Sequence, residues 1–148
     1  MANISKHKSA EYTKLMLVGD SGAGKTSALA SLANAGYNLR ILDFDDGLSI
    51  LPEFLNKDAV SNVSFITLKD GLGQANAFRK GVQMITQWKD GDEDFGPVKS
   101  WTNKDVLVID SLEPTLVGYA LDTPISPSMY CICVVTTTLH GTSEPVIY

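Results

Sequence analysis

Residues 14–32, KLMLVGDSGAGKTSALASL, join an apolar run, a loop with three glycines and a lysine, and a stretch rich in alanine, leucine and serine. Leu15 to Val18 reads as a short strand and Thr26 to Ala35 as a helix, giving strand, loop, helix in immediate succession. Between them, Gly19-Asp20-Ser21-Gly22-Ala23-Gly24-Lys25-Thr26 satisfies G-x-x-x-x-G-K-[ST] at every position. Glycines let the backbone close around an anion without Cβ contacts, so that successive amides and a helix N-terminus face a phosphate. The segment through Ser27 is therefore the candidate phosphate-binding element. Lys25 offers a mobile charge to β- and γ-phosphates, and the Thr26 hydroxyl a ligand for Mg²⁺. A solvated lysine on a glycine-rich turn is the plainer alternative, and the flanking strand and helix weigh against it.

Such a loop needs a second metal anchor, a carboxylate at the end of a neighbouring buried strand. "VLVID" (106–110) is an apolar run of that kind and delivers Asp110. A further strand, "LRILDFDDGL" (39–48), ends in Asp43, Asp45 and Asp46. Alternation puts Asp43 and Asp45 on one face, and Asp45 is the candidate base for a water attacking the γ-phosphate, with Asp43 orienting it. Helix capping or turn chemistry is the competing role and suits Asp46 best. Glu113 competes with Asp45 as base, because Ser111 stands directly after the metal aspartate.

The rest of the chain reads as "ILPEFL" (50–55), a short helix, a turn at 56–58, and "VSFITL" (63–68), a third strand. From Gly73 to Trp88, Ala75, Phe78, Val82, Ile85 and Trp88 recur at helical spacing and predict an amphipathic helix with that face on the sheet. Residues 89–105 are polar and acidic, hence a surface loop. Strands alternating with helices predict an α/β fold with a mainly parallel sheet flanked by helices. "MYCICVVTTT" (129–138) predicts a fifth strand, although no helical period precedes it.

With 148 residues, 44% hydrophobic and 20% charged, the chain fits a single domain over 13–148 behind a flexible tail of residues 1–12. A net charge of −5 argues against a broad basic nucleic-acid surface. No apolar run reaches a membrane-spanning length and no leader pattern opens the chain, which predicts a cytoplasmic protein without a membrane partner. Cys131 and Cys133 are too few for a zinc site and read as buried thiols. No Lys or Arg follows Lys104, so 113–148 is expected to be an atypical or truncated part of the domain.

"GDSGAGKT", "ILDFDDGL" and "VLVIDSL", in this order, resemble the RecA-like P-loop ATPases, in particular the compact phage-encoded nucleotide-binding proteins of the Sak type. The resemblance spans residues 12–112. It implies ATP and Mg²⁺ as cofactors and hydrolysis served by Lys25, Thr26, Asp45 and Asp110. It also implies a role in phage DNA recombination or single-strand annealing in the host cytoplasm, with single-stranded DNA and further copies of the chain as partners. Asp45 stands where those relatives generally carry glutamate, which predicts weak turnover. Their polar γ-phosphate sensor at the end of the next strand would correspond to Thr136, Thr137, Thr138 or His140.

Rival readings remain. Asp70-Gly71-Leu72-Gly73 matches the D-x-x-G of small GTPases, but "NKDV" (103–106) and "NKDA" (56–59) place the aspartate one position too early for guanine recognition. A small-molecule phosphotransferase would show an arginine-bearing lid, and none is visible. A nucleotide-gated binding module with little hydrolysis is the third reading. Phe78, Arg79, Lys80, Trp88 and Lys89 hold the ingredients of a single-strand groove, but helical spacing assigns Phe78 and Trp88 to the core.

Overall fold

The computed structural model of the chain describes residues 12–20, 22–70, 76–112 and 129–137. Strands β1 (Tyr12–Asp20), β2 (Asn38–Asp43), β3 (Val63–Thr67), β6 (Asp105–Leu112) and β7 (Met129–Thr137) form one sheet in the order β1-β7-β6-β2-β3. β4 (Trp88–Asp90) and β5 (Glu93–Gly96) make a separate hairpin. Helix α1 (Lys25–Asn34) follows β1, the short α2 (Leu51–Phe54) follows β2, and α3 (Ala77–Thr86) follows β3. No helix among the described residues is long and apolar enough to cross a membrane. Tyr12 already belongs to β1, and residues 1–11, most of the expected tail, lie outside the described part.

The architecture is α/β, but the sheet is mixed. β2 pairs in parallel with β3 and β6, whereas β7 is antiparallel to both β1 and β6 and separates them. Since β1 and β6 both oppose β7, four of the five strands run one way. Asp20, Asp43, Thr67 and Asp110 consequently end or nearly end their strands at one end of the sheet, where the candidate site lies.

Both sheet faces are covered over β2 and β6, which explains why those strands read as nearly continuous apolar runs. On one face Leu29, Ala30 and Ala33 of α1 pack on Leu39, Ile41, Val106 and Val108, with Leu48 and Leu51 closing the end. On the other, Leu42, Leu107 and Leu68 meet Ala77, Trp88 and Trp101. Each fully buried side chain of this size contributes about 1.5–3 kcal/mol through removal from water. Trp88 and Trp101 lie with ring centroids 5.7 Å apart, the Trp101 indole N–H donates to the Phe95 carbonyl at 2.9 Å, and the Arg40 guanidinium sits 3.8 Å over the Phe95 ring. These contacts fasten the hairpin to the sheet.

Three expectations change. Residues 89–105 are a hairpin and a 3-10 turn instead of plain loop. Trp88 leaves the helix and is buried in β4, 1% exposed. The face of α3 turned to the sheet is Ala77, Gly81 and Met84, while Phe78, 66% exposed, lies outward with Val82 and Ile85. The physical reason lies in how α3 approaches the sheet. Asp70 Oδ1 accepts the amides of Asn76 and Ala77 at 2.6 and 2.8 Å, fixing where the helix starts, and small residues then give it a close approach. That same capping role accounts for Asp70, and Gly71 and Gly73 of the D-x-x-G match lie outside the described residues.

Candidate functional site

The loop after β1 turns through two glycines in the left-handed region, Gly22 at φ 77° and Gly24 at φ 83°, where a side chain would strain the backbone. Gly24 is the N-cap of α1 and supplies no side-chain hydrogen bond, so the first-turn amides of this ten-residue helix have no side-chain cap. Gly19 sits tight against the loop: a Cβ there would lie 3.2 Å from that of Ala23, whose amide donates to the Asp20 carbonyl at 3.1 Å. Lys25 folds back over the loop, its ammonium donating to the carbonyls of Gly19 at 2.8 Å and Asp20 at 2.7 Å. The Ser27 hydroxyl donates to the Gly24 carbonyl at 2.8 Å, and Ser21 lies outside the described residues.

Gly22, Gly24, Lys25, Thr26 and Ser27 line one cavity of about 400 Å³ together with Asp45 and Asp110. Two strands far apart in sequence bring the carboxylates there, because β2 and β6 are parallel neighbours and the end of β2 at Asp43 lies in register with Asp110 of β6. Gly47, Ile50 and Phe54 form the remaining wall. The two apolar residues of that wall carried no signal in the sequence beyond their place in a short helix.

The three aspartates of "DFDD" take different roles. Asp43 is 1% exposed and fully engaged: one oxygen accepts the amides of Asp46 and Gly47 at 2.8 and 3.2 Å, the other the Thr67 hydroxyl at 3.1 Å. It organises the turn. Asp46 adopts φ 62°, a left-handed conformation that aspartate tolerates better than most side chains, and pairs with Lys69 at 2.5 Å in solvent. Asp45, whose Oδ1 accepts the Gly47 amide at 3.2 Å, is the one of the three that lines the cavity with Lys25. Thr67, which sequence reasoning passed over, completes the Asp43 anchor.

Asp110 is 3% exposed, and its Oδ2 is buried with no hydrogen-bond partner. An unsatisfied buried carboxylate oxygen is costly and calls for a ligand or a proton. Burial pushes the Asp110 carboxyl up to about 7, Asp45 and then Asp43 add to the rise, and the Lys25 ammonium opposes it. Directly after Asp110 the pairing with β7 shifts register before Leu112, an irregularity of the kind that re-aims side chains beside sites. Among the described residues no three His, Cys, Asp or Glu side chains gather into a metal-ligand cluster. Mg²⁺ does not require one, since it commonly takes one or two protein oxygens and completes its shell with phosphate and water; Asp110 and the Thr26 hydroxyl fit that donor set.

The direction of β7 removes Thr136 and Thr137 from the site. They pair with Thr13 and Tyr12 of β1, at the far end of the sheet, whereas Met129 and Tyr130 lie level with Asp20 and Gly19. Glu113, Thr138 and His140 lie outside the described residues. No family model, no curated protein and no solved structure matches the chain.

Proposed function

We propose that the chain is a Mg²⁺-dependent ATP-binding P-loop ATPase of the RecA-like kind. The observation that carries this reading is the convergence of Lys25, Thr26, Asp45 and Asp110 on one cavity at the N-terminus of α1, with Asp110 Oδ2 buried and unpartnered. Loop amides and the α1 N-terminus hold the phosphates, and Lys25 exchanges its contacts with Gly19 and Asp20 for phosphate oxygens. The Thr26 hydroxyl and the Asp110 carboxylate would hold Mg²⁺, which would supply charge neutralisation on the phosphates. Asp45 accepts the proton of the attacking water as its oxygen bonds to the γ-phosphorus and the bond to the β-phosphate oxygen breaks, leaving ADP and phosphate.

The biological setting, phage recombination or single-strand annealing in a host cytoplasm by an oligomeric protein, rests on the sequence resemblance. The outward position of Phe78, next in sequence to Arg79 and Lys80, supports only the single-stranded DNA contact within that setting, since proteins bind such strands with stacking rings and cations. Ile50 and Phe54 support a second reading, a phosphotransferase, because an apolar wall beside the phosphate loop suits an acceptor other than water. Phosphate release from ATP and from GTP, with and without Mg²⁺ and single-stranded DNA, tests the proposal. Mg²⁺-dependent release from ATP raised by DNA is the expected result. Preference for GTP would overturn the nucleotide, and absence of any release would leave binding without hydrolysis.

A further inference from the structure

Phe44 stands between the turn-organising Asp43 and the cavity-lining Asp45, and its ring tip is the nearest group to the vacant side-chain position of Gly81 in α3. A Cβ built on Gly81 would lie 2.9 Å from Phe44 Cζ, 3.5 Å from Leu68 Cδ1 and 3.7 Å from Leu42 Cδ1. Glycine is among the poorest residues for a helix interior, and Gly81 occupies the middle of α3. Helix formation alone therefore disfavours it. The Phe44 ring tip accounts for it, since it occupies the space a side chain at position 81 would need.

The turn behind Phe44 is held from several sides. The Phe44 amide donates to the Asp110 carbonyl at 2.5 Å, the Asp46 and Gly47 amides are held by Asp43, and Asp46 carries a left-handed φ. A residue in a sparsely populated conformation persists where its surroundings over-determine it. The ring is seated on α3, the backbone on β6, and Asp45 is the next residue along.

We propose that the Phe44–Gly81 contact is a positioning contact: α3 seats the Phe44 ring and thereby fixes the turn that aims Asp45 into the cavity. The effect on turnover rests on the reading of Asp45 as the base in ATP hydrolysis. The effect on the turn does not.

Gly81→Ala places a methyl against the ring. The expected result is Mg²⁺-ATP affinity within about 3-fold of the unmodified chain, kcat lowered about 10-fold, and amide hydrogen exchange at Asp46 and Gly47 accelerated about 10-fold. Phe44→Leu withdraws the ring tip, so the double variant Gly81→Ala with Phe44→Leu recovers at least about 5-fold in kcat over Gly81→Ala and regains slow exchange. A purely structural contact predicts a lowered melting temperature with kcat and the two amides unmoved, and that result overturns the proposal. So does a double variant no better than Gly81→Ala. Should Gly81→Ala fail to fold, Phe44→Leu alone decides: accelerated exchange at Asp46 and Gly47 is expected, and unchanged exchange refutes the contact's role. If the unmodified chain hydrolyses no ATP, the ATPase reading fails, while the exchange measurement still decides whether α3 fixes the turn.

Discussion

Asp43 and Asp110 face each other in register across the parallel strands β2 and β6, yet Asp43 spends both oxygens on the turn and on Thr67 while Asp110 keeps Oδ2 without a partner. Two buried carboxylates at one end of the sheet thus differ: one is committed to the turn, and the other keeps an oxygen for a ligand or a proton. The division generates distinct expectations for each aspartate.

Asp45→Asn is expected to leave the melting temperature and ATP affinity nearly unchanged and to lower hydrolysis by roughly 10², the worth of a positioned base. Asp43→Asn should instead destabilise the chain by about 1–3 kcal/mol, because an amide cannot accept from two backbone amides and the Thr67 hydroxyl as the carboxylate does. Thermal melts and single-turnover hydrolysis separate the two. Equal losses of stability in both variants would assign Asp45 to the turn as well.

Asp110 makes stability pH-dependent in the absence of metal. Its carboxyl titrates near 7 in the folded chain and near 3.8 when unfolded, so between those values the folded state holds the extra proton. Stability from this group therefore falls as pH rises through that window, and the full penalty is present above about 7. Asp110→Asn removes the penalty. In EDTA its melting temperature should exceed that of the unmodified chain at pH 8 and converge with it near pH 4; a constant difference across that range would contradict the assigned burial.

The reversed face of α3 is testable by stability alone. Phe78→Ser should change unfolding free energy by no more than about 0.5 kcal/mol, as for other exposed positions, whereas Trp88→Ala should cost about 3–5 kcal/mol through the cavity it leaves. Chemical denaturation of the two variants checks the pair. A large loss for Phe78→Ser would return that ring to the core.

Much of the geometry of the candidate site was legible because its signals are local. The motif of residues 19–26, the apolar run before Asp110 and the triplet after "LRIL" each depend on neighbours in sequence, and parallel pairing of β2 with β6 then brings the ends together. What was not legible depends on contacts across the fold. Nothing local decides that β7 runs antiparallel between β1 and β6, which carries Thr136 and Thr137 to the wrong end. In α3, periodicity favours the large residues Phe78, Val82 and Ile85, but the buried positions are the small Ala77 and Gly81, and at Gly81 the Phe44 ring tip leaves no room for a Cβ. Asp43 and Asp45 share a face by alternation, and only the turn geometry after Asp43 separates their roles.

Calorimetric titration of Mg²⁺-ATP into the unmodified chain and into Lys25→Ala tests the central claim most directly. The account predicts one site per chain in the unmodified protein, dependent on Mg²⁺, and a loss of at least about 100-fold in affinity on removal of the ammonium proposed to bind the phosphates. Binding that persists undiminished in Lys25→Ala, or no binding to the unmodified chain at all, would contradict it.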